Sequence, residues 1–169
     1  MWMWGCWITL SLAARGGSDV VADVLIDAQA TEVSDYLSRL DQVSEIFPED
    51  CAQDWIVGPE LQAPHAMGEV VVRAALLKRR LAVTYGEVIP GRIVDLDHTG
   101  DKGFVTRFEI ISDVDLPKNI GGTGITVVMT TFLSPPNWPL KRYFERKIHP
   151  AWLDCHRRTL ENLAQRLSR

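Results

Sequence analysis

The sequence is poor in cysteine, has no long run of basic residues, and has no apolar stretch long enough to cross a membrane comfortably. Its three cysteines, Cys6, Cys51 and Cys155, form no CxxC motif and have no metal-binding spacing to a histidine. A structural zinc site is therefore not expected. The 18 basic residues are scattered and the net charge is −4. Because a phosphate-binding face needs a basic stripe, nucleic acid is not an expected partner.

Several classes of catalytic site lack their motifs here. The chain has no G-x-S-x-G nucleophile elbow, no Walker loop, no H-E-x-x-H helix and no dinucleotide fingerprint. The glycines of Gly121-Gly122-Thr123-Gly124 lead into a predicted strand, so no helix N-terminus is expected there to bind an anion. Asp95, Asp97 and His98 could catch a cation, but no fourth ligand is evident, and an exposed strand end explains them better. No metal and no cofactor are expected.

Residues 1–17 differ from the rest of the chain. The stretch MWMWGCWITLSLA is as long as the apolar region of a signal peptide, but no Lys or Arg precedes it. It is interpreted as signal-like, as an extra edge strand, or as the product of a start codon placed upstream of a domain spanning residues 18–169. A cytoplasmic location is slightly favoured over export. In an exported protein Cys51 and Cys155 would be left to form a disulfide, which the sequence does not establish.

The C-terminal residues have the pattern of a long amphipathic helix. Its polar side contains Asp154 and Glu161, while His156 and His149 fall within or beside the apolar stripe. Pro150 either kinks this helix or starts a second one. The apolar stripe consists of Ile148, Trp152, Cys155, Leu160, Leu163 and Leu167.

The segments before this helix are mostly short, alternating and rich in β-branched residues. Residues 31–47 instead have helical spacing, in one helix or in two broken near Asp41. Lys78-Arg79 and Pro90-Gly91 are predicted to separate consecutive antiparallel strands. The predicted strands are residues 19–27, 55–57, 69–77, 80–89, 92–98, 104–112 and 124–133.

This order of elements resembles the START-like helix-grip superfamily, the SRPBCC group, and within it the polyketide cyclase/dehydrase-like and coenzyme Q-binding-like members. The resemblance covers about residues 18–169 and is carried by DVLIDAQATEVSDYLSRLDQVSEIFP, GEVVVRAAL, LAVTYGEVIPGRIVDLDHTG, FVTRFEI, GITVVMTTFL and the terminal helix. It implies an α+β fold, in which a curved antiparallel sheet of about seven strands wraps around a long C-terminal helix, with one or two short helices after the first strand. The resemblance implies no single function, because this scaffold hosts carriers, enzymes and regulators.

The resemblance also implies a cavity between the sheet and the terminal helix. Strand alternation then favours one face of each strand as its lining, although residues 125–133 are apolar on both faces. Arg73 is either a counter-ion in the cavity or an outward-facing strand residue. The expected ligand-binding residues are Leu81, Val83, Tyr85, Phe104, Thr106, Phe108, Ile110, Trp152 and His156.

Three functions are compatible with this arrangement. The preferred one is a non-catalytic carrier or sensor that encloses a lipid, an isoprenoid or a polyketide-like compound. The second is a cyclase/dehydratase-like enzyme, with His156 and Tyr85 as the candidates for proton transfer. For each of these two residues a structural role is favoured over a catalytic one. The third is a module that docks a protein partner through its concave surface.

Overall fold

A computed structural model describes residues 19–100, 103–112, 124–133 and 140–168. The apolar segment 1–17 and residues 121–123 of the glycine-rich stretch lie outside these ranges. The described residues form a seven-stranded antiparallel sheet, two short helices after the first strand and a long C-terminal helix. The predicted α+β fold class and the predicted order of elements are confirmed.

The helices and strands have the following bounds. The strands are β1 (Val20–Ile26), β2 (Ala52–Val57), β3 (Met67–Ala74), β4 (Leu77–Ile89), β5 (Ile93–Thr99), β6 (Phe104–Ser112) and β7 (Ile125–Phe132). The short helices are α1 (Ala30–Leu37) and α2 (Leu40–Ile46), and the C-terminal helix consists of α3 (Lys141–Tyr143), a π-helical turn (Phe144–Ile148) and α4 (His149–Leu167).

The strand order in the sheet is β1-β7-β6-β5-β4-β3-β2, and every neighbouring pair is antiparallel. The first strand therefore pairs with the last, while β1 and β2 form the two edges. The register shifts between Tyr85 and Val88 in β4, and between Gln53 and Ile56 in β2. Such irregularities bend a strand and increase its twist. The helix α4 packs against β1, β7 and α2.

Strand alternation places one face of each central strand in the core. In β6 the buried residues are Thr106, Phe108 and Ile110, whereas Arg107 and Glu109 between them are only partly buried. Apolar side chains of the other strands and of α1, α2 and α4 complete the core. Their core residues include Leu81, Val83, Tyr85, Val127, Met129, Leu160 and Leu163.

The hairpin between β3 and β4 differs from its prediction. Lys78-Arg79 does not separate the strands but lies within β4, where Lys78 pairs with Arg73. The turn is formed by Ala75 and Leu76, and Ala75 has a positive φ of 52°. Polarity was a misleading signal here, because strand residues that face solvent can be charged without ending the ladder.

The two short helices are separate, but the break lies at Ser38 and Arg39 rather than near Asp41. The Ser38 hydroxyl donates to the carbonyl of Ser34 at 2.7 Å, a local bond of the kind that competes with helix continuation. In the C-terminal helix Pro150 is the second residue of α4, directly after the π-helical turn. Because helical residues 141–148 precede Pro150, the N–H that proline lacks leaves one intrahelical hydrogen bond unmade, and the wider π-helical turn lies directly before α4.

A disulfide joins the turn before β2 to α4, between Cys51 and Cys155. The same two segments are joined by Arg158, whose guanidinium donates to both carboxylate oxygens of Asp50 at 2.8 and 2.9 Å. The sequence alone does not establish this disulfide, because two cysteines 104 residues apart are brought together only by the tertiary fold.

Candidate functional site

A cavity lies between the concave face of the sheet and the N-terminal half of α4. Its volume is about 20 Å³, which is close to the space that one water molecule needs. The cavity is therefore narrow. It is lined by Phe47, Cys51, Ala52, Trp55, Val70, Val72, Arg73, His98, Phe104, Thr106, Trp152, Cys155 and His156.

Aromatic rings form much of the cavity wall. His98 stacks on Phe104 with ring centroids 4.3 Å apart, and Phe104 meets Trp152 edge-on at 4.8 Å. Trp152 in turn approaches His156 at 6.0 Å, while Phe47 and Trp55 lie 5.8 Å apart. Ring contacts at these separations fix the orientation of the side chains and leave flat apolar surfaces facing the cavity.

A chain of three side chains holds His156 in place. The hydroxyls of Thr106 and Thr131 lie 3.0 Å apart, and the Thr131 hydroxyl lies 2.8 Å from Nε2 of His156. Both hydroxyl protons have an acceptor when Thr106 donates to Thr131 and Thr131 donates to Nε2. Assigned from this network, the ring proton of His156 is on Nδ1.

Three buried ring nitrogens of lining residues have no hydrogen-bond partner in the described part of the chain. They are Nε1 of Trp55, Nδ1 of His98 and Nδ1 of His156. Burial lowers the pKa of both histidines to about 4, with a smaller contribution from His149 at His156 and an opposing one from backbone hydrogen bonds at His98. Both imidazoles are therefore neutral at pH 7.

Arg73 borders the cavity from β3. Its backbone N–H donates to the carbonyl of Cys51 at 2.7 Å, and its side-chain Nε is buried without a hydrogen-bond partner in the described ranges. Because side chains alternate along a strand, Arg73 is on the opposite face of β3 from Val70 and Val72, which line the cavity. Arg73 nevertheless lines the cavity and buries its Nε, so it is not a simple outward-facing strand residue.

The structure brings together four of the nine expected ligand-binding residues at the cavity, namely Phe104, Thr106, Trp152 and His156. Tyr85 does not line it. Its hydroxyl donates to the carbonyl of Leu37 at 2.9 Å, and burial raises its pKa. The others that lie in the core instead of the cavity wall are Leu81, Val83, Phe108 and Ile110.

The prediction that His98 lies at an exposed strand end is wrong. Its side chain is 4% exposed, because β5 continues to Thr99 and the ring of Phe104 covers it. The alternation of Val94, Leu96 and His98 could have indicated this inward position. Trp55 and Phe47 were also missed, since they come from the edge strand and the end of α2, where the pattern is short.

The remaining polar groups of the described residues form no metal site. No group of three or more His, Cys, Asp or Glu residues in the described ranges could hold a metal ion. Asp95 instead receives two bonds from the Arg107 guanidinium, at 2.7 and 2.8 Å. None of the helices in these ranges is long and apolar enough to cross a membrane.

No family model and no curated protein sequence matches the chain. Solved structures do. The solution structure of KanY is similar over 90% of this chain and 99% of its own, with a TM-score of 0.70 and 18% identity. A crystal structure of a protein from Thermus thermophilus covers 88% of this chain and 96% of its own, with a TM-score of 0.66 and 14% identity.

The chain has the helix-grip fold. The Zhui aromatase/cyclase from a Streptomyces species shares it, with a TM-score of 0.61 and 10% identity over 88% of this chain and 92% of its own. At such low identities the likeness shows the fold alone, and it assigns no activity of these proteins to this chain. The helix-grip fold does explain the position of the cavity between sheet and terminal helix.

Proposed function

We propose that the protein binds a small, largely apolar molecule with one or two oxygen atoms, as its carrier or sensor. The observation that carries this proposal is the pair of buried nitrogens Trp55 Nε1 and His156 Nδ1, which have no partner among the described residues. A buried polar group without a partner costs about 1–3 kcal/mol. A ligand oxygen that accepts from Trp55 Nε1 or His156 Nδ1 would remove that cost.

The character of the cavity wall supports a mostly uncharged binding environment. Aromatic and aliphatic side chains dominate the lining, and the two histidines in it are neutral at pH 7. None of the described residues that line the cavity is an aspartate or a glutamate. A mostly apolar ligand with few polar atoms matches such a wall. Because the cavity is narrow, side chains or α4 must shift to admit anything larger than a few atoms.

The first test is native mass spectrometry of the full chain, followed by solvent extraction of any bound molecule. We expect a co-purifying apolar compound at near-stoichiometric occupancy. Binding is then measured by the tryptophan fluorescence of the full chain, and the variants Trp55→Phe and Trp152→Phe show how much of the change comes from the two tryptophans of the cavity wall. A protein that is empty and binds no member of a panel of lipids and aromatic ketones would contradict the proposal.

A cyclase/dehydratase-like enzyme is the second candidate. The observation that favours it is the positioning of His156, whose Nε2 is held by Thr131 while Nδ1 has no partner among the described residues. An oriented imidazole of this kind can transfer a proton. Its low pKa argues against efficient catalysis, since a general acid or base works best with a pKa near the working pH. Docking of a protein partner remains a prediction.

The substitution His156→Ala separates the two candidates. For a carrier, we expect a modest change in affinity and no turnover of any bound compound. For an enzyme, turnover falls by about 10²-fold or more while the circular-dichroism spectrum stays that of the folded protein. The change is measured by ligand titration and by product analysis of the extracted ligand. Tyr85→Phe serves as the control, because Tyr85 does not line the cavity.

A further inference from the structure

The disulfide is part of the cavity wall. Both Cys51 and Cys155 line the cavity, and Cys155 directly precedes His156 on α4. Cys51 lies at the end of the turn that leads from α2 into β2. The bond therefore spans the boundary between the sheet side and the helix side of the cavity.

The disulfide is the first of four links between one stripe of α4 and the segment from Glu45 to Cys51. The helix residues of this stripe are Cys155, Arg158, Asn162 and Arg166. After the disulfide come the bonds from Arg158 to Asp50, then Asn162 Nδ2 to the carbonyl of Ile46 at 2.8 Å, and Arg166 to Glu45 at 2.6 Å. Of these four links, the disulfide is the one whose residues line the cavity.

The two sulfur atoms are in different surroundings. Cys51 is 4% exposed, and its Sγ accepts a hydrogen bond from Nη2 of Arg158 at 3.2 Å. Cys155 is partly exposed, and its sulfur has no such donor among the described residues. Access and a stabilised leaving group both matter in thiol–disulfide exchange. The arrangement thus favours attack on Cys155 with departure of Cys51.

We propose that this disulfide is a site of thiol–disulfide exchange that controls access to the cavity, an inference that rests on the proposed function. A dithiol reductant attacks Cys155 Sγ as a thiolate, and the sulfur–sulfur bond breaks to release the Cys51 thiolate beside Arg158. The second thiol of the reductant then attacks the mixed disulfide and releases Cys155. Two electrons pass from the dithiol to the protein, the reductant becomes a disulfide, and its two protons end on the cysteines.

Reduction would loosen one end of the helix only. The links of Asn162 and Arg166 remain, and Leu160 and Leu163 stay in the core. The N-terminal half of α4, which carries Trp152 and His156, is then held to the turn before β2 mainly by the ion pair of Arg158 and Asp50. The cavity opens at its mouth, and a ligand too large for the oxidised form can enter.

The test compares hydrogen exchange of the full chain before and after reduction with dithiothreitol. We expect exchange to accelerate about tenfold or more in residues 47–52 and 149–157, with much smaller changes in residues 160–167. The double variant Cys51→Ser, Cys155→Ser should behave like the reduced protein whether or not dithiothreitol is present. In Cys6→Ser, the matched control for the third cysteine, the response should persist.

A second measurement follows the entry of a probe, 1-anilinonaphthalene-8-sulfonate, by stopped-flow fluorescence. We expect its association rate to rise about tenfold on reduction, because the mouth opens more often. Arg158→Met should have little effect in the oxidised protein, where the disulfide still holds the two segments together. It should accelerate entry further in the reduced protein, where the ion pair is the remaining link near the mouth.

Several outcomes overturn the inference. Uniform acceleration of exchange across α4, or loss of the folded circular-dichroism spectrum on reduction, would mean that the disulfide only stabilises the fold. Unchanged exchange in both segments would mean that α4 does not loosen. A probe that enters both forms at the same rate would refute the gate but leave the proposed function standing. If neither form binds the probe or the ligand panel, the proposed function fails, while the exchange pattern still decides whether the helix opens.

Discussion

The two ends of the interface between the sheet and α4 are built from different side chains. At the filled end, Phe108 of the sheet and Leu160 of the helix are fully buried among other aliphatic and aromatic residues. At the cavity end, Thr106, His98 and His156 are also buried, but two of their nitrogens have no partner among the described residues. One helix thus supplies packing along one half of its length and, along the other, part of a mostly apolar cavity wall with a few polar atoms.

The comparison teaches that burial alone does not distinguish core from site in this fold. Thr106 and Phe108 are neighbours on one face of one strand, and they are 1% and 0% exposed. They differ in their surroundings. Phe108 is packed in the core, whereas Thr106 borders the cavity, where Nδ1 of His156 has no hydrogen-bond partner among the described residues. The predictions below probe this separation from the largest expected effect to the smallest.

The strongest contrast is expected in acid. The pKa of His98 and of His156 is about 4 in the folded protein, compared with 6.5 for an ordinary histidine, because burial disfavours the charged form. Between these values the unfolded state binds more protons, so the free energy of unfolding is highest above pH 6.5 and falls as the pH drops to 4. The loss is on the order of 3 kcal/mol for each histidine. Urea unfolding at pH 7, 5.5 and 4.5 measures it.

The variant His156→Gln is the control for this slope. Glutamine keeps an amide that can bond to Thr131 but does not titrate, so about half of the histidine-dependent loss should disappear. An unchanged slope would show that His156 does not remain neutral in the folded protein.

The contribution of the filled end to the free energy of unfolding should depend on side-chain packing more than on pH. Phe108→Ala removes a fully buried ring and should lower the free energy of unfolding by about 3–5 kcal/mol. Phe104→Ala changes the same residue type on the same face of β6, but its ring borders the cavity, so we expect a loss less than half as large. Equal losses in urea unfolding would remove the distinction between the two ends.

The smallest effect is expected for Tyr85→Phe. It removes the hydrogen bond from the Tyr85 hydroxyl to the carbonyl of Leu37 and should cost about 1 kcal/mol of stability. Ligand affinity, measured by titration, should stay the same because Tyr85 is in the core. A large loss of affinity would place Tyr85 at the binding site after all.

The sequence predicted the fold well because the fold depends on local patterns. Strand alternation correctly turned Thr106, Phe108 and Ile110 inward, and helical spacing placed His156 on the buried side of the terminal helix. The cavity was harder to predict, since its extent depends on how α4 crosses the sheet. Phe108 and Ile110 share a face with Thr106, and no pattern in β6 indicates where packing ends and empty space begins.

The contribution of distant segments was also hidden from the sequence. Trp55 reaches the cavity from an edge strand interrupted by a register shift, and the partner of Cys155 comes from a turn 104 residues earlier in the chain. Such meetings are set by tertiary structure. The inward position of His98 could have been predicted from strand alternation. Its acidic neighbours indicated an exposed strand end instead, but Asp95 is buried against Arg107.

The pairing of β1 with β7 has a consequence for how the protein is made. In the described sheet, β1 pairs with β7, which is synthesised about 100 residues later, and α4, which covers β1, follows later still. During synthesis β1 therefore has no partner strand until β7 has been made, and its buried face has no cover until α4 has been made. Contacts this distant in sequence slow folding. Until α4 is in place, the apolar residues that β1 buries in the folded protein, such as Val20 and Ile26, would be exposed to chaperones, and we expect premature termination within α4 to yield aggregation rather than a shortened, folded domain.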